Sequence, residues 1–348
     1  MQYLPACIES MLAQDCSEWK CVFVDGYSTD GSWEYMQQFA ADPRFLLLRG
    51  LKQGMYADWN ECLRHVETEY FYFLTSDDTC FPELVSTTVE ALDAYPTVDA
   101  CHFQFCLINE TGEIVQSFEE VTREWVTLYS DINQYPHLRS GIYEFMMHFA
   151  YRAIYTTITS LVFRRSVLNS LKGFKTTCGV IGDYDWTMRL GLFTDVLYVP
   201  QLLATWRIYA GQATRVSDRL ESGARLLNLA QDNLSNKAIS SLISRKLKQP
   251  IKPHYMLASF RDEHASALYE KTFSAETVIE KVQHLLSSIS SYPFFAFKKV
   301  LNRLSFNKLY PYQPQTTRGY ELVKVYKLPS PLKIDWRKTK SQSSSSSI

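Results

Sequence analysis

FYFLTSDDT, residues 71–79, joins an apolar aromatic run to two adjacent acids, Asp77 and Asp78. Two carboxylates a few ångströms apart repel, and one pKa rises unless a proton, a cation or a metal neutralises the pair. The stretch therefore reads as a strand that ends by presenting acids to something cationic. The plainer role for either acid is a helix cap, because Pro82 sits where the first turn of the next helix would begin and Asp is common at such junctions. Hard carboxylate oxygens also suit Mg²⁺ or Mn²⁺, which complete their shells with phosphate and water. Spacing alone weighs the two readings about equally.

Working outward, the first hundred residues alternate helical and extended patterns. Leu4, Cys7, Ile8, Met11 and Leu12 follow the spacing of an amphipathic helix. KCVFVD (20–25) reads as a buried strand, and STDGS (28–32) supplies turn residues and caps before the helical WEYMQQFAA. FLLLR (45–49) is a short strand, and a helix from about Met55 to Val66 places Trp59, Cys62, Leu63 and Val66 on one face. After the helix that follows Pro82 comes a strand over 98–108 and a turn at NETGE. Strands alternating with helices predict an α/β protein with a mostly parallel central sheet flanked by helices. Ligands of such sheets bind at the C-terminal strand ends, where Asp25 also lies. Asp25 opens a turn (Gly26, Ser28, Thr29, Asp30, Gly31) that suits hydrogen bonds to a nucleobase or ribose, although a plain turn acid would look the same.

The whole chain narrows the choice. At 348 residues it has room for a core domain and an appendage. Lys and Arg total 36 against 37 Asp and Glu, a formal net charge of −1, which argues against nucleic-acid binding by bulk charge. The eight cysteines, at 7, 16, 21, 62, 80, 101, 106 and 178, form no CxxC pair and read as reduced, mostly buried thiols. MQYLPACIES has no basic stretch followed by an apolar one, and no run approaches the roughly 20 apolar residues that span a bilayer. These features predict a cytoplasmic protein and make the sequons at Asn109 and Asn233 incidental. Helical periodicity resumes after about residue 215, and KTKSQSSSSSI reads as a disordered end. The expected organisation is a core α/β domain over 1–215, a helical appendage over 216–310 and an extended, partly disordered tail over 311–348.

In order, YLPACIESMLAQ, VDGYSTDGS, GMYADWN (54–60) and EYFYFLTSDD resemble the successive signatures of the family 2 inverting glycosyltransferases, and GDYDWTMRL (182–190) and ATWRIYAGQAT (204–214) extend the likeness. The resemblance covers roughly residues 3–215. It implies a GT-A fold, a nucleotide-diphosphate-sugar donor and a divalent metal, Mg²⁺ or Mn²⁺, on Asp77 and Asp78. It implies nucleotide-sugar contacts from Asp25, Tyr27, Ser28, Asn60, Ser76, Asp77 and Arg207. It makes Asp183 the catalytic base, where otherwise DYDWTMRL would be an amphipathic helix with acids in its first turn. A base on the face opposite the leaving group predicts inversion and is worth about 10² to 10⁴ in rate.

The sequence also departs from the family pattern. Thr75 stands where the DxD motif has its first Asp, Gly26 and Tyr27 replace an acid and a glycine, Gly182 replaces a Glu, and Tyr209 a His. A first strand ahead of residue 3 is missing from the expected order. The function so read is sugar transfer to a hydroxyl of a glycan or lipid-linked acceptor in the cytoplasm, peripheral to a membrane if the aromatic, basic segment 292–312 lies on an anionic surface. An aromatic-rich segment, 120–160, suits an acceptor loop, or plain core. Two alternatives stand beside this reading: a catalytically silent relative that binds a glycan or partner, and a metal-dependent nucleotidyltransferase, which would show a Gly-rich basic phosphate loop.

Overall fold

The computed structural model describes residues 1–122, 129–212, 218–293, 295 and 315–336. The chain divides into two compact units, one of Met1–Phe145, Ala153–Gln212 and Pro329–Ile348, the other of Met146–Arg152 and Ala213–Leu328.

The first unit opens on α1 (Leu4–Leu12), with a proline in its first turn and Leu4, Cys7 and Ile8 turned inward. The parallel strands β1 (Cys21–Asp25) and β2 (Phe45–Arg49), linked through α2 (Ser32–Gln37), place Asp25 directly opposite Arg49. Leu4, Ile8, Met36 and Phe45 form the buried cluster that fixes both helices to this pair. β1 and β2 make a two-stranded sheet of their own.

The remaining strands form a second, eight-stranded sheet. After α3 (Met55–Arg64) come β3 (Tyr70–Tyr72), β4 (Thr79–Cys80), α4 (Leu84–Asp93), β5 (Ala100–Ile108), β6 (Ile114–Gln116) and β7 (His137–Arg139). α5 (Gly141–Tyr151), β8 (Leu161–Arg164), α6 (Gly182–Leu190) and β9 (Val196–Arg207) follow, and β10 (Leu332–Lys333) returns from far along the chain. The order is β10-β7-β9-β5-β8-β3, with β4 added to β9 and β6 to β5. β5 and β9 run parallel from Ala100 opposite Val196 to Ile108 opposite Arg207. The other pairs of this sheet are antiparallel.

The α/β class and flanking helices are as the sequence predicts, but the sheet is mixed rather than mostly parallel. The reason lies in residues 109–180, for which the sequence announces no strand and which supply three antiparallel strands of only three or four residues each. Segments that short carry too few alternations to announce themselves. β9 tolerates Pro200 because the register against β5 skips from Val199 to Leu202, so the proline sits in a bulge where no ladder donor is needed.

β5 is buried on both faces, the expected state of a central strand. The aromatics of 120–160 are largely core as well, since Tyr129, Tyr143, Phe145, Phe149, Tyr151 and Tyr155 are all buried. Tyr129 and Tyr155 donate to the buried carboxylate of Glu144 at 2.7 and 2.6 Å, and Arg139 lies 3.4 Å from the same group. All eight cysteines are free thiols, with Cys7, Cys80, Cys101 and Cys106 buried.

The second unit is helical: α7 (Arg219–Ser235), α8 (Lys237–Leu247), α9 (Ala258–Ser274), α10 (Val278–Ser291) and α11 (Gln315–Tyr326). Side chains of Asp218, Asn236 and Thr277 cap α7, α8 and α10. The tail expected from residue 311 is thus helical over Gln315–Tyr326, and its next stretch enters the first unit's sheet, Leu332 opposite Leu138. Most of the basic aromatic segment 292–312 and the serine-rich end lie outside the described residues. Among the described residues no helix is long and apolar enough to cross a membrane.

Phe103 on β5 has no exposed surface. Phe103→Ala is expected to cost about 3–5 kcal/mol, measured as the loss of unfolding free energy in urea.

Candidate active site

The two adjacent acids have different fates. β3 ends at Tyr72, so residues 73–78 form a turn, closed by the Asp78 N–H donating to Thr75 O at 3.0 Å, before β4 begins at Thr79. Asp78 points inward and is 1% exposed. Its Oδ2 accepts from the hydroxyls of Thr75 and Thr159 at 2.5 and 2.8 Å, and its Oδ1 from the Arg207 N–H at 2.8 Å. Burial, and after it the charge of Asp77, pushes the Asp78 carboxyl up to about 7. A carboxylate so enclosed ties three distant segments together. Of the two acids expected to share a metal, Asp78 is thus the one that faces protein donors and is buried, with three hydrogen bonds to its oxygens.

Asp77, half-buried, is the acid that remains on the outer side. Tyr209 hydrogen-bonds to its side chain, and burial with the Asp77 charge pushes that phenol up to about 12. The Tyr209 ring lies 5.0 Å from Tyr3, which in turn lies 4.6 Å from the guanidinium of Arg207. Ser76 beside the acids is exposed.

Two residues expected at a nucleotide sugar do structural work. Arg207 is 3% exposed. Its Nε donates to Asp77 O at 2.8 Å and an η nitrogen to Asn109 O at 2.7 Å, so it fastens the acidic turn to the end of β5. Asn60 exchanges both amide hydrogen bonds with the backbone of Phe174, at 2.9 and 2.7 Å. A Cβ on Gly173 would lie 2.4 Å from Asn60 Oδ1, so a side chain there would have to displace the Asn60 amide. The physical reason is the same in both cases: polar side chains withdrawn wholly or partly from water among backbone groups pair with them.

Asp25 is buried at the end of β1, where it accepts from the N–H groups of Tyr27 and Ser28 at 2.9 and 3.1 Å and pairs with Arg49. The turn puts Tyr27 at φ 69°, leaves its ring 46% exposed, and sets Lys52 4.3 Å and Arg49 5.1 Å from it. An exposed aromatic ring flanked by two cations suits a stacked base beside phosphates. The carboxylate of Asp58 wedges against Gly26 and Gly50, where added Cβ atoms would approach within 2.9 and 2.0 Å. Burial and the nearby Asp25 raise the Asp58 carboxyl.

Asp183 sits in the first turn of α6. Its Oδ1 accepts from the Tyr56 hydroxyl and from the Tyr184 N–H, each at 2.8 Å. Burial raises its carboxyl, against the lowering effect of those two bonds. Two turns of helix are anchored by Asp185, fully buried, which takes Lys175 Nζ and Arg189 Nε at 2.9 Å each. Below, Trp186 stacks on Phe174 and donates from its ring nitrogen to Lys172 O.

α3 joins these parts. Asp58 faces Asp25, Tyr56 reaches Asp183, and Trp59 stacks on Phe73 at 5.0 Å, four residues before Asp77. Tyr56, Asp58 and Thr159 escape a reading of the sequence, because their partners lie up to 127 positions away. Among the described residues no group of three or more His, Cys, Asp or Glu side chains forms a metal cage. A divalent ion here would have Asp77 as its protein carboxylate and draw further oxygens from substrate and water.

Residues 1–168 match the family model Glycosyl transferase family 2. Over 80 residues the chain is 32% identical to a PGL/p-HBAD biosynthesis glycosyltransferase of Mycobacterium tuberculosis (strain ATCC 25177 / H37Ra), a match covering 22% of this chain and 31% of that protein. The chain thus spans about a third of that relative's length. Over 211 residues it is 25% identical to the uncharacterized protein MT1568 of Mycobacterium tuberculosis (strain CDC 1551 / Oshkosh), covering 60% and 65%. Among solved structures, S. aureus TarS 1-349 in complex with UDP-GlcNAc superposes with TM-score 0.58 at 14% identity, over 94% of this chain and 88% of that one. The mannosyltransferase PcManGT from Pyrobaculum calidifontis, in complex with GDP-Man and Mn²⁺, gives 0.51 at 16% identity, over 92% and 81%. These two likenesses show the fold.

Asp78→Ala is expected to destabilise the protein by about 1–3 kcal/mol for each donor left unpaired. Asp78→Asn keeps most of the stability, because its oxygen can accept from Arg207 and its amide can donate to both threonine hydroxyls. Urea unfolding of the two variants beside Asp77→Asn, for which near-neutral stability is expected, checks the assignment.

Proposed function

We propose, from the premise that residues 1–168 belong to glycosyl transferase family 2, that the protein moves a sugar from a nucleotide-diphosphate donor to a hydroxyl of a glycan or lipid-linked acceptor, with inversion at the anomeric carbon. The observation that carries this reading is Asp183: a carboxylate at a helix start, raised by burial, whose hydrogen bonds from the Tyr56 hydroxyl and the Tyr184 N–H both end on Oδ1. Oδ2 is then the oxygen to take the acceptor's proton.

The roles follow from the chemistry of the step. An acceptor hydroxyl is a poor nucleophile until its proton has somewhere to go, and Asp183 receives it as the oxygen–carbon bond forms. The bond from the anomeric carbon to the diphosphate breaks with its electron pair on the leaving oxygen. A divalent metal, when bound with Asp77, supplies positive charge beside that diphosphate. Tyr27 provides the ring for the base, with Arg49 and Lys52 adjacent, and the Asp25 turn holds Tyr27 in its left-handed conformation. Asn60 and Arg207 hold the scaffold that sets Asp183 and Asp77 in place.

A second reading, a silent relative that binds without turnover, draws support from Thr75 in the DxD position and from the enclosure of Asp78, which leave Asp77 as the acid on the outer side of the turn. Turnover separates the two. Release of nucleoside diphosphate from UDP- and GDP-sugars, assayed with Mn²⁺ and with EDTA, is expected only with metal, and Asp77→Ala is expected to abolish the metal dependence of UDP binding. Metal-dependent UDP binding without release from any donor supports the silent relative.

Asp183→Asn is expected to lower kcat by about 10² to 10⁴ while leaving donor KM within a few fold. The base acts only when deprotonated, so kcat rises with pH through the carboxyl's raised pKa, and the acid limb of kcat against pH is expected above the ordinary carboxylate range. A limb at or below the ordinary value, or an undiminished Asp183→Asn, would overturn the assignment.

A further inference from the structure

Tyr56 reaches Asp183 from another part of the chain, 127 positions away. It lies on α3, is 4% exposed, and its ring is held by Trp59 at 5.3 Å and Phe174 at 5.7 Å. Its single proton is aimed at the start of α6, 2.8 Å from Asp183 Oδ1 and 3.0 Å from Val180 O. The other donor to Oδ1, the Tyr184 N–H, belongs to the next residue of the same helix and moves with it.

Gly182 bears on the same contact. Its backbone is ordinary helix, φ −68°, so no left-handed conformation demands a glycine. A Cβ there would lie 2.7 and 2.8 Å from ring carbons of Tyr56 and 3.0 Å from Lys175 O. The absence of a side chain beside the base is what admits the phenol, and the pattern this segment resembles has a Glu at that position.

We propose that Tyr56 is a positioning residue for sugar transfer, its hydroxyl fixing the Asp183 carboxylate through Oδ1 so that Oδ2 alone meets the acceptor's proton. The inference rests on the reading of Asp183 as base. A hydrogen bond to the charged form of an acid favours that form, so Tyr56 acts against the burial that raises the Asp183 carboxyl. The phenol is itself pushed up, by burial first and then by the Asp183 charge, and it stays a donor across the working range. The other charged groups on these elements have partners of their own: Lys175 and Arg189 pair with Asp185, Glu61 with Arg64 and His65, and Asp58 faces Asp25.

The test uses the full chain and Tyr56→Phe, which keeps the ring and removes only the hydroxyl. With ¹³C-carboxyl-labelled aspartate, the resonance missing from Asp183→Asn identifies the base, and its titration midpoint is expected to move up by about half a pH unit or more in Tyr56→Phe. With Mn²⁺ and UDP-GlcNAc or GDP-mannose as donor, kcat is expected to fall about tenfold, its acid limb to move up with the midpoint, and donor KM to hold. A purely structural tyrosine would lower the melting temperature and leave midpoint and limb in place, and that outcome overturns the inference even if Asp183→Asn is inactive. If Asp183→Asn keeps full activity, the base assignment fails and the role of Tyr56 falls with it, whereas a shifted midpoint would still locate the contact.

Discussion

The buried carboxylate of Asp78 is the constraint on which the first unit's chemistry depends. It receives a backbone N–H from the last residue of β9, a hydroxyl from its own turn and a hydroxyl from the segment before β8. Removing an acid from water is unfavourable unless donors replace the lost hydration, so the three donors and the acid specify one another. The result is a rigid turn whose neighbouring acid, Asp77, faces outward. Like charges would not otherwise sit side by side, and turning one inward and pairing it is how this chain separates them.

Arg207 completes the same device from the opposite direction. Its backbone holds Asp78 while its side chain holds the carbonyls of Asp77 and Asn109. One residue thereby couples the acidic turn, the end of β5 and the end of β9, the two strands that run parallel through the sheet's centre. A guanidinium is suited to this because its donors form a fixed planar fork. Such a side chain resembles a ligand-binding arginine in sequence and is a structural clamp in three dimensions.

α3 plays a comparable part for the base. Tyr56, Trp59 and Asn60, spaced i, i+3 and i+4, share one face of the helix and converge on Phe174, while Asp58 lies on another side. Between them they meet different elements: α6 through Asp183, the Asp25 turn, the aromatic run before the acids, and the Phe174 backbone. The apolar stripe of Trp59, Cys62, Leu63 and Val66 announces the helix in sequence, but it says little of the distant partners that its residues hold.

The sequence by itself determined the local elements and the order of the signatures. The i, i+3, i+4 spacing of α1, the FLLLR strand and the acids opening α6 follow from short-range rules of periodicity and capping, and the structure has them at or near the expected residues. It also determined which residues could carry charge at strand ends. Only the tertiary structure decided which of them are enclosed. Asp77 and Asp78 are neighbours of identical chemistry, and nothing local distinguishes them; the Arg207 N–H and the Thr159 hydroxyl, more than 80 positions away, do. The same holds for Asn60 against Phe174, for Tyr56 against Asp183, and for the three short strands that make the sheet mixed. Their energies come from partners distant in sequence, and a pattern read along the chain holds no information about a contact until the fold brings its two halves together.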